Sequence, residues 1–282
     1  MFGNNYYCLV ASLREYSLDS ETKGFDLSAI REEILSELSK RDAKQVQLLY
    51  GYYDCENLIA RRAGRESYNP LGLLSREEID EALQEPVSYL PKELAQVVEA
   101  YAVAEDEEQD EEERTVDTSR RFEQSLLEAY YLLCAHSKSR FLKVWSEFDR
   151  TLRNIAAAAT ARTLQREVAS AMVGKGFVVE QLSRSSAADF GLRGELPYID
   201  TVLAAVNDEQ NLVEKEHKID LIRWNESQEL SVYDYFNVDF ILSYLVRMNI
   251  VARWTLLDKE RGRRMFERLL SDLDAKEMIN KQ

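Results

Sequence analysis

The stretch Phe141-Leu142-Lys143-Val144-Trp145-Ser146-Glu147-Phe148-Asp149-Arg150-Thr151-Leu152-Arg153-Asn154-Ile155-Ala156-Ala157-Ala158-Ala159 decides the fold class. Phe141, Trp145, Phe148, Leu152, Ile155 and Ala159 advance in steps of 4, 3, 4, 3 and 4. That spacing keeps one face of an α-helix turned toward a partner helix. Upstream, Phe122, Leu126, Tyr130 and Leu133 make a second stripe, so the pair predicts a long antiparallel hairpin turning near Ser137. Trp145 is expected in the core, because a large ring buries much area and leaves only one polar tip to satisfy.

The pattern extends in both directions. Leu94, Val97, Val98 and Tyr101 fall at helical spacing behind Pro91, which suits a first helical position. Ser75-Arg76-Glu77-Glu78 reads as a capping box ahead of Ile79, Ala82 and Leu83, with Pro86 as the stop. Leu27, Ile30, Ile34, Leu35 and Leu38 follow the candidate N-cap Asp26. Further stripes run to the end: Val202-Leu203-Val206, Leu212-Ile219-Ile222, Ile241-Leu245-Met248 and Phe266-Leu269-Leu270-Leu273. Glycine is absent between Leu73 and Val173, and only Pro86 and Pro91 punctuate that span, a turn-poor composition that favours helix. Tyr6 to Ala11 and Gly176 to Val179 are the strand candidates. The expected fold is all-α with at most a short strand pair.

Composition narrows the function classes. With 51 acidic and 36 basic residues among 282, the formal charge is −15. Such a chain repels phosphate backbones and anionic headgroups, so proteins are the expected partners and nucleic acid is not. About half the excess sits in one run, Glu105 to Glu113, with eight acids in nine positions. That run is expected to be a solvated loop over 105–116, because adjacent carboxylates repel. It lacks the turn glycine and ligand spacing of a calcium loop. Cys8, Cys55 and Cys134 form no C-x-x-C pair, which argues for a reducing compartment. The longest unbroken apolar run, Ala129 to Ala135, is seven residues, against about 20 for a membrane span. Nothing at Met1 to Asn5 reads as a secretory leader. The expectation is a cytoplasmic protein with no membrane insertion.

Catalytic motifs begin and fail. Glu214-x-x-His217 is half of a di-iron carboxylate site, but the other histidine, His136, has Leu133 where the second glutamate belongs. Asp189-Phe190-Gly191 imitates a magnesium-binding triplet without the glycine-rich and catalytic loops that accompany it. Gly174-Lys175-Gly176 lacks phosphate-loop spacing and reads as a helix end. Ser183, Ser185 and Ser186 sit in no nucleophile elbow. No catalytic, cofactor or metal residue is predicted.

What recurs is an element of architecture. Asp54-Cys55-Glu56-Asn57-Leu58 is followed by Arg61 and Arg62; a looser copy joins Asp149 to Asn154-Ile155, near Arg150, Arg153 and Arg162; a third runs from Tyr244-Leu245-Val246-Arg247 through Arg253-Trp254. Asn57 and Asn154 stand 97 residues apart, a span that holds one helical sub-bundle. Three similar bundles in one chain are the simplest reading.

Together with the opening Tyr6-Tyr7-Cys8-Leu9-Val10-Ala11-Ser12-Leu13 and Leu18-Asp19, and the closing Gly262…Phe266-x-x-Leu269-Leu270, these elements resemble an uncharacterised bacterial family encoded among V-type ATPase subunits. That family resembles in turn the C-type central-stalk component of V-type ATPases, whose eukaryotic form is the d-type. Arg14 stands where the bacterial family tends to have proline, and Asn249 about where the C-type component places an acid.

The resemblance implies an elongated helical funnel of three pseudo-repeated bundles, here approximately 1–104, 117–190 and 197–282. It implies a non-catalytic central-stalk adaptor of a rotary ATPase, linking the rotor-shaft subunits to the proteolipid ring at the inner face of the cell membrane and supporting ion transport.

Charge adds a docking expectation. Arg247 to Arg268 carries seven basic residues and three acids, so Arg253, Arg261, Arg263 and Arg264, with Arg61, Arg62 and Arg65, are candidates to meet an acidic partner. Pairing of these residues to local acids within the chain is the plainer reading. Two other functions stay open: a soluble helical scaffold or regulator that binds a different protein, and an enzyme assembling its site from dispersed carboxylates.

Overall fold

Residues 5–18, 24–107, 112–207 and 212–257 are described by the structure, a computed structural model, and every regular element among them is helical. A short α1 (Tyr7–Ser12) leads to α2 (Leu27–Glu37) and the long α3 (Lys40–Arg62). Then α4 (Arg76–Gln84), α5 (Pro86–Tyr89) and α6 (Lys92–Glu107) carry the chain to α7 (Glu112–Ala135) and α8 (Arg140–Thr163). A 3-10 turn at Ala169–Ala171, α9 (Phe177–Arg184), α10 (Ile199–Asn207), α11 (Leu212–Leu230) and α12 (Val238–Leu257) follow. The molecule is elongated, and its longest helices, of 23 and 24 residues, each run about 35 Å.

Local chemistry explains the starts. Asp26 Oδ1 accepts from the Ala29 N–H at 3.1 Å and Ser39 Oγ from Asp42 at 3.2 Å, each satisfying a donor the first helical turn leaves open. Ser75 and Glu78 form the reciprocal capping box at α4. The hairpin is present: α7 and α8 pack together across a turn at 136–139, and Ser139 Oγ caps α8 by accepting from Leu142 at 3.0 Å. Pro86 both ends α4 and opens α5 as its first residue. Pro91 lies one position outside α6, where its carbonyl accepts from Ala95 at 2.9 Å.

Both strand candidates are helices, α1 and α9. Short apolar runs carry no decisive periodicity, and no described strand lies nearby for them to pair with. Gly174-Lys175-Gly176 does not end a helix; Gly176, at φ +125°, is the residue before α9. Both ends of the acidic stretch expected as a loop over 105–116 are helical, since α6 continues to Glu107 and α7 begins at Glu112; residues 108–111 lie outside the described ones.

Two apolar cores hold the body. The larger surrounds α8, where Phe141 and Trp145 stack with ring centroids 5.9 Å apart, and it takes in α10, α12 and the first half of α3 through Val46, Leu49 and Tyr50. The smaller joins Cys55, Leu58 and Ile59 of α3 to Ile79, Leu94, Val98, Phe122 and Leu126. One helix thus passes from one core into the other. Each fully buried Leu, Ile or Phe contributes about 1.5–3 kcal/mol.

One segment corrects the hydropathy expectation. Residues Val238–Leu257 are long and apolar enough, by length and composition, to cross a membrane, with mean hydropathy 1.3. Counting unbroken runs missed it because Ser243, Arg247 and Asn249 interrupt the apolar residues. Its apolar character is accounted for by packing: Ile241, Leu242, Leu245 and Met248 are buried in the larger core.

Candidate functional site

The Asp-x-x-Asn-Leu element works as a loop clamp. On α3 the Asn57 amide donates through Nδ2 to the Asn69 carbonyl at 3.0 Å and accepts through Oδ1 from the Asn69 N–H at 2.6 Å. Asp54 Oδ1 accepts from the backbone N–H groups of Leu73 and Leu74 at 2.8 and 3.1 Å, and Arg31 donates to the Leu71 carbonyl at 3.1 Å. Leu58 fills the smaller core. A Cβ on Gly72 would lie 2.6 Å from Asp54 Oδ1, so the clamp closes only over glycine.

The second copy reproduces half of this. Asn154 on α8 makes the same two bonds to one residue, Val173, at 3.0 and 2.9 Å. Arg162 donates to the carbonyls of Ala187 and Ser185 and lies 3.6 Å from the Phe190 ring centre. Asp149 clamps nothing; it accepts from Tyr131 and Arg223 instead. In the third copy Asn249 accepts from the Tyr50 hydroxyl at 2.9 Å, and Tyr244 donates to the Arg14 carbonyl at 2.9 Å.

Asp149 belongs to a polar centre between the helices. Arg223 on α11 donates to Asp149 at 3.2 Å and Asp220 at 3.4 Å; Arg253 on α12 donates to both oxygens of Asp220, at 2.9 and 2.8 Å, and to Glu216; Trp254 Nε1 donates to Asp220 at 3.0 Å. Burial alone would lower the Arg223 pKa, but the Asp149 and Asp220 carboxylates outweigh it and hold the guanidinium charged. This network forms one wall of a cavity of about 460 Å³. Tyr52, Tyr53, Tyr130, Tyr131 and Trp145 supply aromatic lining, and Glu56 adds a further carboxylate. Burial pushes all four tyrosine hydroxyls above their ordinary pKa, so they remain protonated donors.

The predicted docking residues divide. Arg253 is engaged with Asp220 and Glu216, acids on another helix rather than a turn away on its own. Arg261, Arg263 and Arg264 lie outside the described residues. Arg61 pairs with Asp80, and Arg62 donates to the Tyr101 carbonyl at 2.9 Å.

The failed motifs have structural roles. Glu214 pairs with Lys218 at 3.0 Å, and His217 packs against Trp254 with ring centres 5.5 Å apart. Among the described residues no three His, Cys, Asp or Glu side chains gather in a metal-holding group. Asp189-Phe190-Gly191 is a turn whose Phe190 is buried. Burial raises the Cys55 thiol well above its usual range and Cys134 to about 12, which makes both poor nucleophiles.

A surface feature has little trace in the sequence. Between α11 and α12 the loop exposes Val232, Tyr233, Tyr235 and Phe236, with Tyr233 86% exposed, and Tyr7 of α1 lies against Phe236 at 4.6 Å. The backbone beneath is tied down. Arg140 donates to the Leu230 carbonyl at 2.7 Å and to Asp234 at 2.5 Å; Asn237 donates to Asp234 at 2.7 Å; the Tyr6 N–H donates to the Phe236 carbonyl at 2.6 Å. The cluster Tyr233-x-Tyr235-Phe236 beside the cap Asn237 is its one sequence signal.

Comparison with known proteins gives a family without an assigned activity. The family described as proteins of unknown function, DUF2764, matches residues 3–277. No curated protein matches the chain.

Proposed function

The chain belongs to the DUF2764 family, and we propose that it works without chemistry of its own, as a helical scaffold that binds another protein. The observation that carries this reading is the tied-down aromatic loop. Tyrosine and phenylalanine exposed together on a fixed backbone make an anchor of the kind that dominates protein interfaces, and pre-organisation reduces the ordering cost of association. Stiff packed helices behind it transmit force with little compression.

The more specific form of the proposal is the central-stalk adaptor of a V-type ATPase, a funnel of three sub-bundles joining the rotor-shaft subunits to the proteolipid ring at the cytoplasmic face of the membrane. It is supported by the resemblance carried on Asp54, Asn57 and Leu58, and by the matching clamps of Asn57 and Asn154, which are what two related bundles would retain. The test is to mix the full chain with purified V-type rotor-shaft and proteolipid subunits and to follow co-elution. Tyr233→Ala with Tyr235→Ala is expected to weaken the complex roughly tenfold or more. Absence of any complex removes the adaptor reading; a complex insensitive to both substitutions removes the loop from it.

A further inference from the structure

Glu56 stands between two cavities, the one of about 460 Å³ described above and a second of about 380 Å³ reached from the Asn69 and Arg153 side. Its hydrogen-bond partners are neutral: the Asn69 side-chain amide donates to Oε2 at 2.8 Å, and the Tyr52 hydroxyl also bonds to it. Arg153, the guanidinium with the most influence on it, is paired to Glu123. The other carboxylates lining the larger cavity each have an arginine: Asp149 has Arg223, Glu216 has Arg253, and Asp220 has both. Four carboxylates therefore face two guanidiniums on that lining, an excess of two; three of the four share the two arginines, and Glu56 is the one paired to neither.

Tyr52 and Tyr53 on the same helix as Glu56, with Tyr130, Tyr131 and Trp145, give the cavity an aromatic lining, and an aromatic face attracts a cation through its quadrupole. A volume near 460 Å³ is within the range of small-ligand sites. A hard metal ion needs several converging oxygen ligands, and the described residues gather no such group. An anion would meet the carboxylate surplus. A neutral apolar ligand would leave Glu56 without a countercharge.

We propose that the larger cavity binds an alkylammonium group, its charge paired with Glu56 and its carbon stem laid against the tyrosine rings. A free polyamine and a lysine side chain presented by a partner share this chemistry. The inference goes beyond the scaffold reading and stands without it. Burial raises the Glu56 pKa, so the fold holds an ionised carboxylate there at some expense, and a paired ammonium relieves that.

The test is isothermal titration of the full chain with spermidine and, separately, with the blocked peptide acetyl-Gly-Lys-Gly-amide. Spermidine binding that falls roughly tenfold or more in Glu56→Gln, and is unchanged in the exposed control Glu147→Gln, supports a free amine. Binding of the peptide alone, with the same dependence on Glu56, supports a partner's lysine. Binding of neither probe, or equal binding by wild type and Glu56→Gln, overturns the proposal. Should Glu56→Gln fail to fold, carbodiimide labelling of the wild-type chain replaces it. Protection of Glu56 by either probe supports the site, and unchanged labelling with both overturns it.

Discussion

Asn57 and Asn154, on two different helices, each close the same pair of hydrogen bonds onto the N–H and C=O of a single loop residue, Asn69 in one case and Val173 in the other. An asparagine amide is suited to this because it presents a donor and an acceptor side by side. Asn57→Leu and Asn154→Leu each remove two bonds and strand the loop's backbone groups. Each is expected to destabilise the protein by about 2–4 kcal/mol. Urea denaturation checks this, with the midpoint falling while the slope stays constant.

Gly72 is expected to be intolerant of any side chain, since a Cβ there would meet Asp54 Oδ1 at 2.6 Å and Asn57 Nδ2 at 2.9 Å. Gly72→Ala must open the clamp and lower the melting temperature. Gly194→Ala, where nothing lies within 4 Å, is the control and should be neutral or stabilising by up to about 1 kcal/mol. Thermal scans of the two variants side by side decide it.

The polar centre makes an asymmetric prediction. Asp220 is almost wholly buried and accepts from Arg223, Arg253 and Trp254. Asp220→Ala removes the carboxylate that both guanidiniums share, leaving Arg223 only Asp149 and Arg253 only Glu216, and is expected to cost about 3–5 kcal/mol. Arg253→Ala should cost less, because Asp220 keeps Arg223 and the Arg253 side chain is 35% exposed. A double-mutant cycle on denaturation midpoints measures the coupling.

Stability should also depend on pH through Glu56. Burial raises its folded-state pKa, so its contribution is fully present below the ordinary carboxylate range and is lost as pH rises through the raised value. Glu56→Gln is neutral throughout. The variant is therefore expected to melt above wild type at neutral and mildly alkaline pH, with the gap closing in acid. A gap independent of pH would contradict this.

The helical framework is legible in the sequence wherever long periodic stripes coincide with caps. The Phe141 to Ala159 stripe behind Ser139, the capping box of Ser75 and Glu78, and Asp26 ahead of Leu27 each combine two local signals that agree. Tyr6 to Ala11 and Gly176 to Val179 mislead because a run of a few apolar residues fits either period. The cavity is not legible: Tyr52, Tyr131, Asp149, Asp220 and Arg253 come from five helices, and nothing local in the chain records that they meet. Asp149 shows the limit of motif reading. It stands ahead of an asparagine as Asp54 does, yet its carboxylate turns to Arg223 rather than to a loop.

The most direct measurement is affinity purification of the tagged full chain from detergent-treated whole-cell lysate, with quantitative mass spectrometry of what accompanies it. A central-stalk adaptor should bring down V-type rotor-shaft and proteolipid subunits in amounts comparable to itself, reduced in the Tyr233→Ala and Tyr235→Ala double variant. Recovery of the chain with no stoichiometric protein partner would contradict that role.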